Sequence, residues 1–380
     1  MNQERIEAVY RVRCTAAEID ARARAIATEQ SVEMPLAGIV DDWIRDEIVA
    51  QLVSIEPDAA APQAHSAAAT GGEAWRVTLS LDARTVDGEP GQLMNMLFGN
   101  SSLQPDVELI DTRLPATLLQ TLPGPAFGIQ GLRAMAQAPR RALTCTALKP
   151  QGLPPERLAA LAGQFARAGI DFIKDDHGIA DQAYAPFAER VPAIQRAVAQ
   201  ANAETGGHSV YLPSLSGGAQ RVMQQLRIAR DEGVRGLLAC PLLLGVSSFV
   251  ELLRAPGEFV LLAHPALAGS ARIAPALLLG RLIRLFGADA TIFPNYGGRF
   301  SYGRETCLEI ADAARGPLGP HRGAIPVPAG GMRVDRVEEM IEAYGADVML
   351  LIGGNLLEAR EAMPERARAF VERVRRAGGA

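Results

Sequence analysis

The sequence predicts an α/β protein in two parts: an N-terminal α+β (ferredoxin-like) domain over residues 1–121 and a (β/α)8 TIM barrel over residues 122–380. Three observations lead to this fold class. A chain of 380 residues is too long for one typical core. Its first part mixes alternating strands with helices. After a turn-rich connection at residues 122–129, a unit of apolar strand plus helix recurs.

The N-terminal part reads as strand, helix, strand, helix, strand. Residues 6–14 alternate apolar and polar side chains, which indicates a strand, and Thr15 with Glu18 offers a capping box for a helix that ends near residues 28–31. The later elements are a helix-like stretch over 43–52, a surface loop rich in Ala, Pro and Gly over 56–72, a strand over 75–81, a helix over 91–98 and a strand over 106–112. This order predicts helices on one face of an antiparallel sheet.

Eight apolar segments in the second part predict the strands of the barrel. They lie near residues 143–148, 170–174, 210–215, 236–244, 260–264, 290–293, 325–328 and 348–352. Helical segments between them include residues 155–168, 185–203 and 219–232. A doubly wound open sheet is the alternative, but the first strand is not followed by the glycine-rich phosphate turn that usually accompanies such a sheet.

Composition excludes several classes of function. The net charge of -5 gives no basic surface for nucleic acid, and no basic cluster interleaved with aromatic residues occurs. No apolar run is long enough to cross a membrane, and the N-terminus does not resemble a signal peptide. The four cysteines form no close pair, which is typical of reduced thiols. We therefore expect a cytoplasmic protein with no nucleic-acid or membrane partner.

One stretch of the second part carries most of the candidate chemistry. Residues 169–177, Gly-Ile-Asp-Phe-Ile-Lys-Asp-Asp-His, are an apolar strand that runs into four polar residues. A strand buried on both faces is apolar throughout, so we expect these four at its carboxyl end, where barrels keep their active sites. Polar or glycine residues also occur at the ends of other predicted strands. They are Lys149, His264, Arg299, Gly330, Gly331, Gly353 and Gly354. Glycine pairs let backbone N–H groups approach a phosphate, and Arg299 lies on a loop able to close as a lid.

Residues 169–177 resemble the G-x-D-F-x-K-D-D-E signature of the RuBisCO large-subunit superfamily. Further motifs follow in the order of that family: Gly-Pro-Ala-Phe-Gly-Ile-Gln at 124–130, Leu-Lys-Pro at 148–150, Pro-Ala-Gly-Gly at 328–331 and Ile-Gly-Gly at 352–354. In the first domain, residues 28–31 and 98–100 match the segments that this family extends into the active site of a partner subunit.

The resemblance implies a role for each matched position. Lys174 would be carbamylated by CO₂ and would hold one Mg²⁺ per site together with Asp176 and His177, and Lys149 would be the acid or base at the carbon that enolises. It assigns catalytic roles to Lys149, Lys174, His264 and Arg299. It assigns substrate or phosphate contacts to Glu29, Asn100, Arg299, Ala329, Gly330, Gly331, Gly353 and Gly354. Glu29 and Asn100 would come from the other protomer of a homodimer with shared active sites.

Departures from the family pattern argue against a carboxylating enzyme. His177 replaces the glutamate ligand, which makes Mn²⁺ or another divalent ion an alternative to Mg²⁺ and leaves open that His177 acts in proton transfer instead. Other departures are Gln151 for the second lysine, Arg299 for the lid lysine, and Pro265, Ile292 and Ala329 at the donors to a second phosphate. These changes imply a substrate with one phosphate.

Three functions remain open on the sequence. The first is metal-assisted enolate chemistry on a mono-phosphorylated 3-oxo sugar acid, with decarboxylation or hydrolytic C–C cleavage as for 3-oxo-isoapionate 4-phosphate, in the manner of a lyase or hydrolase. The second is isomerisation or enolisation of a phosphorylated ketose such as 5-methylthioribulose 1-phosphate. The third is a catalytically silent sugar-phosphate binder, which would not need both Lys149 and Lys174.

Overall fold

The computed structural model describes residues 4–59, 72–253 and 258–378. The chain divides into two units, one made of Met1–Leu122 with Leu267–Leu278 and the other of Pro123–Ala266 with Leu279–Ala380.

An antiparallel sheet of four strands forms the frame of the first unit. The strands are β1 (Arg5–Cys14), β2 (Gln51–Pro57), β3 (Glu73–Asp82) and β4 (Val107–Arg113), and the helices are α1 (Ile19–Glu29), α2 (Pro90–Phe98) and α3 (Ala116–Thr121). The strand order β2-β3-β1-β4 places β3 between the two strands that α1 connects, which is the split β-α-β arrangement of ferredoxin-like folds. Buried residues of β1, such as Ile6 and Tyr10, alternate along the strand, and the Tyr10 hydroxyl donates to the Leu97 carbonyl of α2 at 2.6 Å.

The helix-like stretch predicted over residues 43–52 forms only in its first part. Residues 42–48 are helical, with a π-helical turn at Ile44–Ile48. The chain then extends into β2, which pairs with β3 through a register shift between Leu52 and Ser54. Apolar residues four apart at 44, 48 and 52 fit a helix as well as a strand, so only pairing with β3 decides between them. The predicted surface loop over 56–72 begins inside β2, and its residues 60–71 lie outside the described part of the chain.

Eight short parallel strands form the frame of the second unit, as the sequence predicts. They are β5 (Leu143–Leu148), β6 (Phe172–Asp175), β7 (Val210–Leu212), β8 (Gly236–Ala239), β9 (Val260–Ala263), β10 (Ala290–Pro294), β11 (Ile325–Ala329) and β12 (Met349–Leu351). They pair in two arcs, β12-β5-β6-β7 and β11-β10-β9-β8, and a bridge between Ser214 and Leu238 connects β7 with β8. The predicted strand over 236–244 is too long, because Pro241 begins a short helix after β8.

One helix precedes β5, and the others follow the strands of the barrel. They are α4 (Gly128–Met135), α5 (Pro155–Arg167), α6 (Phe187–Thr205), α7 (Ala219–Asp231), α8 (Pro241–Leu244), α9 (Val246–Leu253), α10 (Ile283–Leu285), α11 (Arg304–Arg315), α12 (Val337–Tyr344), α13 (Gly354–Leu357) and α14 (Met363–Ala377), with a π-helical segment at Ala276–Leu282. None of the described helices is both long and apolar enough to span a bilayer.

Side chains from every strand meet in one core of the second unit. It includes Cys145, Phe172, Leu262, Ile292 and Val327. Because side chains alternate along a strand, the residues two positions beyond these point to the same interior, nearer the carboxyl edge. Lys174 is two residues beyond Phe172, so the fold aims it into the barrel at the end where parallel α/β barrels carry their active sites.

Candidate active site

The carboxyl ends of β5 and β6 bring Lys149, Lys174 and Asp176 together. The two strands are neighbours in parallel register, with Ala147 opposite Lys174. Lys149 lies just after β5, and its Nζ forms an ion pair with Oδ1 of Asp176, the first residue after β6. The Lys149 side chain is 35% exposed, whereas Lys174 is 3% exposed. One amine therefore faces the opening and the other lies below it.

Lys174 is held in conditions that favour its neutral form. Its Nζ donates a hydrogen bond to the backbone carbonyl of Asp175 at 2.8 Å. Burial lowers the pKa of Lys174, and Lys149 acts in the same direction, against the opposing effect of Asp176. The neutral amine is the nucleophilic form of lysine, so this environment suits a lysine that reacts with CO₂.

Two histidines stack beside Asp176. The rings of His177 and His264 lie 3.9 Å apart at an interplanar angle of 13°, and His177 Nδ1 is 3.7 Å from Asp176 Oδ1. Burial opposes ionisation of Asp176, but interactions with His177 and Lys149 outweigh it and hold the pKa of Asp176 well below its usual range. Asp176 is therefore a carboxylate.

His264 is a neutral ring. Burial, together with the nearby Lys174 and His177, lowers the pKa of His264 to about 2. Its Nδ1 accepts a hydrogen bond from the Ala266 N–H at 3.2 Å, so the ring proton is on Nε2. His264 can thus donate a hydrogen bond, but it does not gain charge at neutral pH.

The donor set fits a divalent cation only if Lys174 is carbamylated. Among residues 4–59, 72–253 and 258–378, no three His, Cys, Asp or Glu side chains are grouped closely enough to hold a metal ion. A carbamate on Lys174 would add an anionic oxygen beside the carboxylate of Asp176 and the imidazole of His177. Mg²⁺ prefers oxygen ligands, so a set of one nitrogen and two oxygens selects it less strongly than an all-oxygen set would. The same set can also bind Mn²⁺.

Asp175 points away from the reacting groups, into a buried polar network. Its carboxylate accepts hydrogen bonds from the Tyr211 hydroxyl at 2.9 Å, the Ser214 N–H at 3.0 Å and Arg190 Nε at 3.2 Å. Both side chains of the Asp175–Arg190 ion pair are fully buried. Arg190 also donates to the carbonyl of Ala180 at 2.8 Å and of Ala185 at 2.7 Å. The network therefore holds the end of β6 and the segment that follows His177.

Gly330 and Gly331 contact the loop that carries Arg299 and Phe300. The Arg299 N–H donates to the Gly330 carbonyl at 2.8 Å. A Cβ at Gly330, where φ is +83°, would lie 2.8 Å from the Phe300 ring, and a Cβ at Gly331, where φ is +112°, would lie 2.9 Å from the Arg299 nitrogen. These glycines therefore have a packing reason to be glycine, in addition to the phosphate role that the sequence predicts for them.

Gly353 and Gly354 leave more room. A Cβ at Gly353 would lie 3.9 Å from Cε of Lys149, and nothing is within 4 Å of the Cβ position of Gly354. Gly353 therefore lies beside the half-buried Lys149, and Gly354 has open space next to it. Ala329, at the end of β11, is 8% exposed and belongs to the barrel core.

Arg299 and the two residues of the first unit have local partners. The Arg299 guanidinium lies over the Phe300 ring, 5.6 Å from its centroid. In the first unit, Asn100 Nδ2 donates to Glu29 Oε1 at 2.9 Å, so these two predicted site residues are brought together with each other. Their contact with a partner subunit's substrate stays a prediction.

Two features of the sequence point to functional residues although they belong to no motif. Lys149 and Lys174 are the only two lysines among 38 basic residues, and all other cations of the chain are arginines. Arg190 has the helical spacing of Ile194, Val198 and Ala201, all buried, which could have indicated a buried charge needing a partner. Tyr211 and Phe300 carry no comparable signal.

Comparison with known proteins agrees with this architecture. The family described as "Ribulose bisphosphate carboxylase large chain, catalytic domain" matches residues 128–271. A 5-methylthioribulose-1-phosphate isomerase from Rhodospirillum rubrum is 52% identical over 98% of this chain and 96% of its own length. A 2,3-diketo-5-methylthiopentyl-1-phosphate enolase from Geobacillus kaustophilus is 31% identical over 70% of this chain and 66% of its own. The crystal structure of a Rubisco-like protein from Rhodopseudomonas palustris superposes with a TM-score of 0.89 at 46% identity, covering 98% of both chains.

Proposed function

Because this chain belongs to the RuBisCO large-chain superfamily, as one of its non-carboxylating RuBisCO-like proteins, we propose that it isomerises a methylthio ketose monophosphate of the 5-methylthioribulose 1-phosphate type. The observation that carries the proposal is the lysine pair. A chain that uses arginine for its other basic side chains keeps lysine at two positions, both at the carboxyl ends of neighbouring strands. Arginine is not deprotonated in proteins, so lysine is required where an amine must lose a proton.

Lys149 is the proton carrier in this proposal. Isomerisation of a ketose removes a proton from the carbon beside the carbonyl and returns a proton to the resulting enediol, and one amine that accepts and then donates the proton can serve both steps. Lys149 is exposed enough to reach a bound substrate, and its pairing with Asp176 fixes its position. The neutral His264 offers an Nε2–H to a substrate oxygen, with its ring held by the stack on His177.

The second lysine, Lys174, would hold the metal rather than move the proton. A carbamate on Lys174, Asp176 and His177 would hold one Mg²⁺ or Mn²⁺, which would supply positive charge beside the substrate carbonyl. The open Gly353–Gly354 pair is the phosphate position that we favour, because it lies next to Lys149. The pairing of Glu29 with Asn100 is compatible with a homodimer in which they approach a partner's substrate.

The test is turnover of 5-methylthioribulose 1-phosphate in D₂O with Mg²⁺ and bicarbonate, followed by proton and phosphorus NMR. We expect a new ketose phosphate that carries one deuterium at the carbon where the proton is returned, and loss of turnover when the metal is chelated. Full activity with a chelator present would show that the reaction does not need the metal.

The same assay separates the other functions. Cleavage of a 3-oxo sugar acid uses the same enolate chemistry and stays a prediction; release of CO₂ or a shorter acid from such a substrate, with no turnover of the ketose, would favour it. Binding of the ketose without turnover would favour the silent binder. We favour the isomerase because a relative that is 52% identical over 98% of this chain bears that name.

Carbamylation of Lys174 is a separate prediction. With ¹³C-bicarbonate and Mg²⁺ at mildly alkaline pH, we expect one carbamate carbon signal on a side chain, because the lowered pKa of Lys174 enlarges the fraction of reactive neutral amine. Lys174→Met should remove the signal and Lys149→Arg should keep it. In a chain with two lysines, the only competing amines are those of Lys149 and the N-terminus. A signal that persists in Lys174→Met would contradict the assignment.

A further inference from the structure

The active-site end of the barrel has an apolar side as well as a charged one. Pro294 and Ala329 are paired residues at the ends of neighbouring strands β10 and β11. Ala329 belongs to the barrel core, and Pro294 lies two residues beyond Ile292, which also does. Side chains two apart on a strand point the same way, so both residues face the interior at the carboxyl edge. Neither offers a side-chain hydrogen bond.

Phe300 extends this apolar side on the lid loop. Its ring lies against Gly330, the residue after Ala329, at 2.8 Å from the position that a Cβ would occupy there. Phe300 is nevertheless 54% exposed, so the protein covers its side chain only in part. The Arg299 guanidinium covers part of it. Pro294, Ala329 and Phe300 together form an apolar corner of the site.

We propose that the apolar corner binds the methylthio end of the substrate and thereby sets the enzyme's preference for a thioether sugar phosphate. The inference rests on the proposed function. Lys149, Lys174 and Asp176 occupy the ends of β5 and β6, so a substrate whose carbonyl lies there can extend toward β10 and β11 with its other end.

The chemistry of a thioether explains why the apolar corner would bind the methylthio end of the substrate. A thioether needs no hydrogen-bond partner and gains from contact with an aromatic ring, where sulfur lies about 5 Å from the ring. A hydroxyl or a second phosphate in the same place would lose water without finding a donor among these three side chains. The corner therefore favours a methylthio group and disfavours a polar one.

The experiment compares kcat/KM for three substrates that differ only at carbon 5: 5-methylthioribulose 1-phosphate, 5-deoxyribulose 1-phosphate and ribulose 1-phosphate. We expect the wild-type enzyme to prefer the methylthio compound over the deoxy compound by roughly tenfold, since one group in an apolar pocket is worth about that much. Phe300→Ala should lower kcat/KM for the methylthio compound about tenfold and that for the deoxy compound less than about twofold.

Further variants separate the corner from lid damage. Phe300→Leu keeps an apolar side chain and should recover most of the preference for the methylthio compound. Ala329→Ser adds a hydroxyl and should shift the preference toward ribulose 1-phosphate. Met223→Ala, which removes a 43% exposed apolar side chain from α7, serves as the control without effect.

The outcomes distinguish the inference from the function beneath it. No turnover of any of the three ketoses by the wild-type enzyme would overturn the proposed function. Turnover of all three with equal kcat/KM, or an unchanged preference in Phe300→Ala, would overturn the apolar corner and leave the isomerase intact.

Discussion

Replacing Lys149 by Met is expected to lower kcat by a factor of about 10² to 10⁴, with KM changed far less. That range is what a positioned acid or base typically contributes. The loss falls on kcat because the proton moves in the chemical step, whereas the phosphate and the apolar end of the substrate keep their contacts. We expect no large fall in Tm, because the side chain is 35% exposed and an ion pair of that kind contributes little to stability. Steady-state kinetics and a thermal melt on the same preparation give both readings.

The informative control is Lys149→Arg. Arginine keeps the positive charge and can pair with Asp176, but it cannot give up its proton at any working pH. If Lys149 carries the proton, Lys149→Arg will be as inactive as Lys149→Met. If Lys149 only stabilises negative charge, Lys149→Arg will retain most of the activity, and another group must then move the proton.

Replacing Arg190 by Met is expected to reduce the free energy of unfolding by about 3–5 kcal/mol, the largest stability effect that we predict. Removing one partner of a fully buried ion pair leaves the other charge without compensation. Asp175 would keep its hydrogen bonds from Tyr211 and Ser214 but lose its cation, and the carbonyls of Ala180 and Ala185 would lose a donor. Urea unfolding followed by circular dichroism measures the effect as a shift in midpoint.

A matched control lies on the neighbouring helix. Arg167 of α5 pairs with Glu204 at 2.7 Å, but both side chains are 43% exposed. Arg167→Met should therefore cost less than about 1 kcal/mol. Equal midpoints for the two variants would show that the Arg190 network contributes no more than a surface pair and would contradict its role in holding the end of β6.

Much of the fold follows from the sequence alone. The period-two alternation of residues 6–14 and the apolar strands of the barrel are local consequences of which face each residue buries, so a strand can be identified without its neighbours. The candidate site also follows from local sequence in part. A lysine, two aspartates and a histidine after an apolar strand must lie at its carboxyl end, and the structure brings Lys149, Lys174, Asp176, His177 and His264 together there.

Other features depend on partners distant in the chain, and only the tertiary structure decided them. Strand β2 forms because β3 supplies its hydrogen bonds, although residues 43–52 fit a helix equally well. Asp175 and Asp176 are adjacent and chemically identical, yet alternation along β6 turns one toward Arg190, fifteen residues away, and the other toward Lys149. The glycines after β11 contact Arg299 and Phe300, although Arg299 and Gly331 are 32 residues apart in the chain. Their packing therefore cannot be predicted from the spacing of glycines in the sequence. Sequence determines which residues end each strand; the closing of the strands into a barrel determines which of those residues meet.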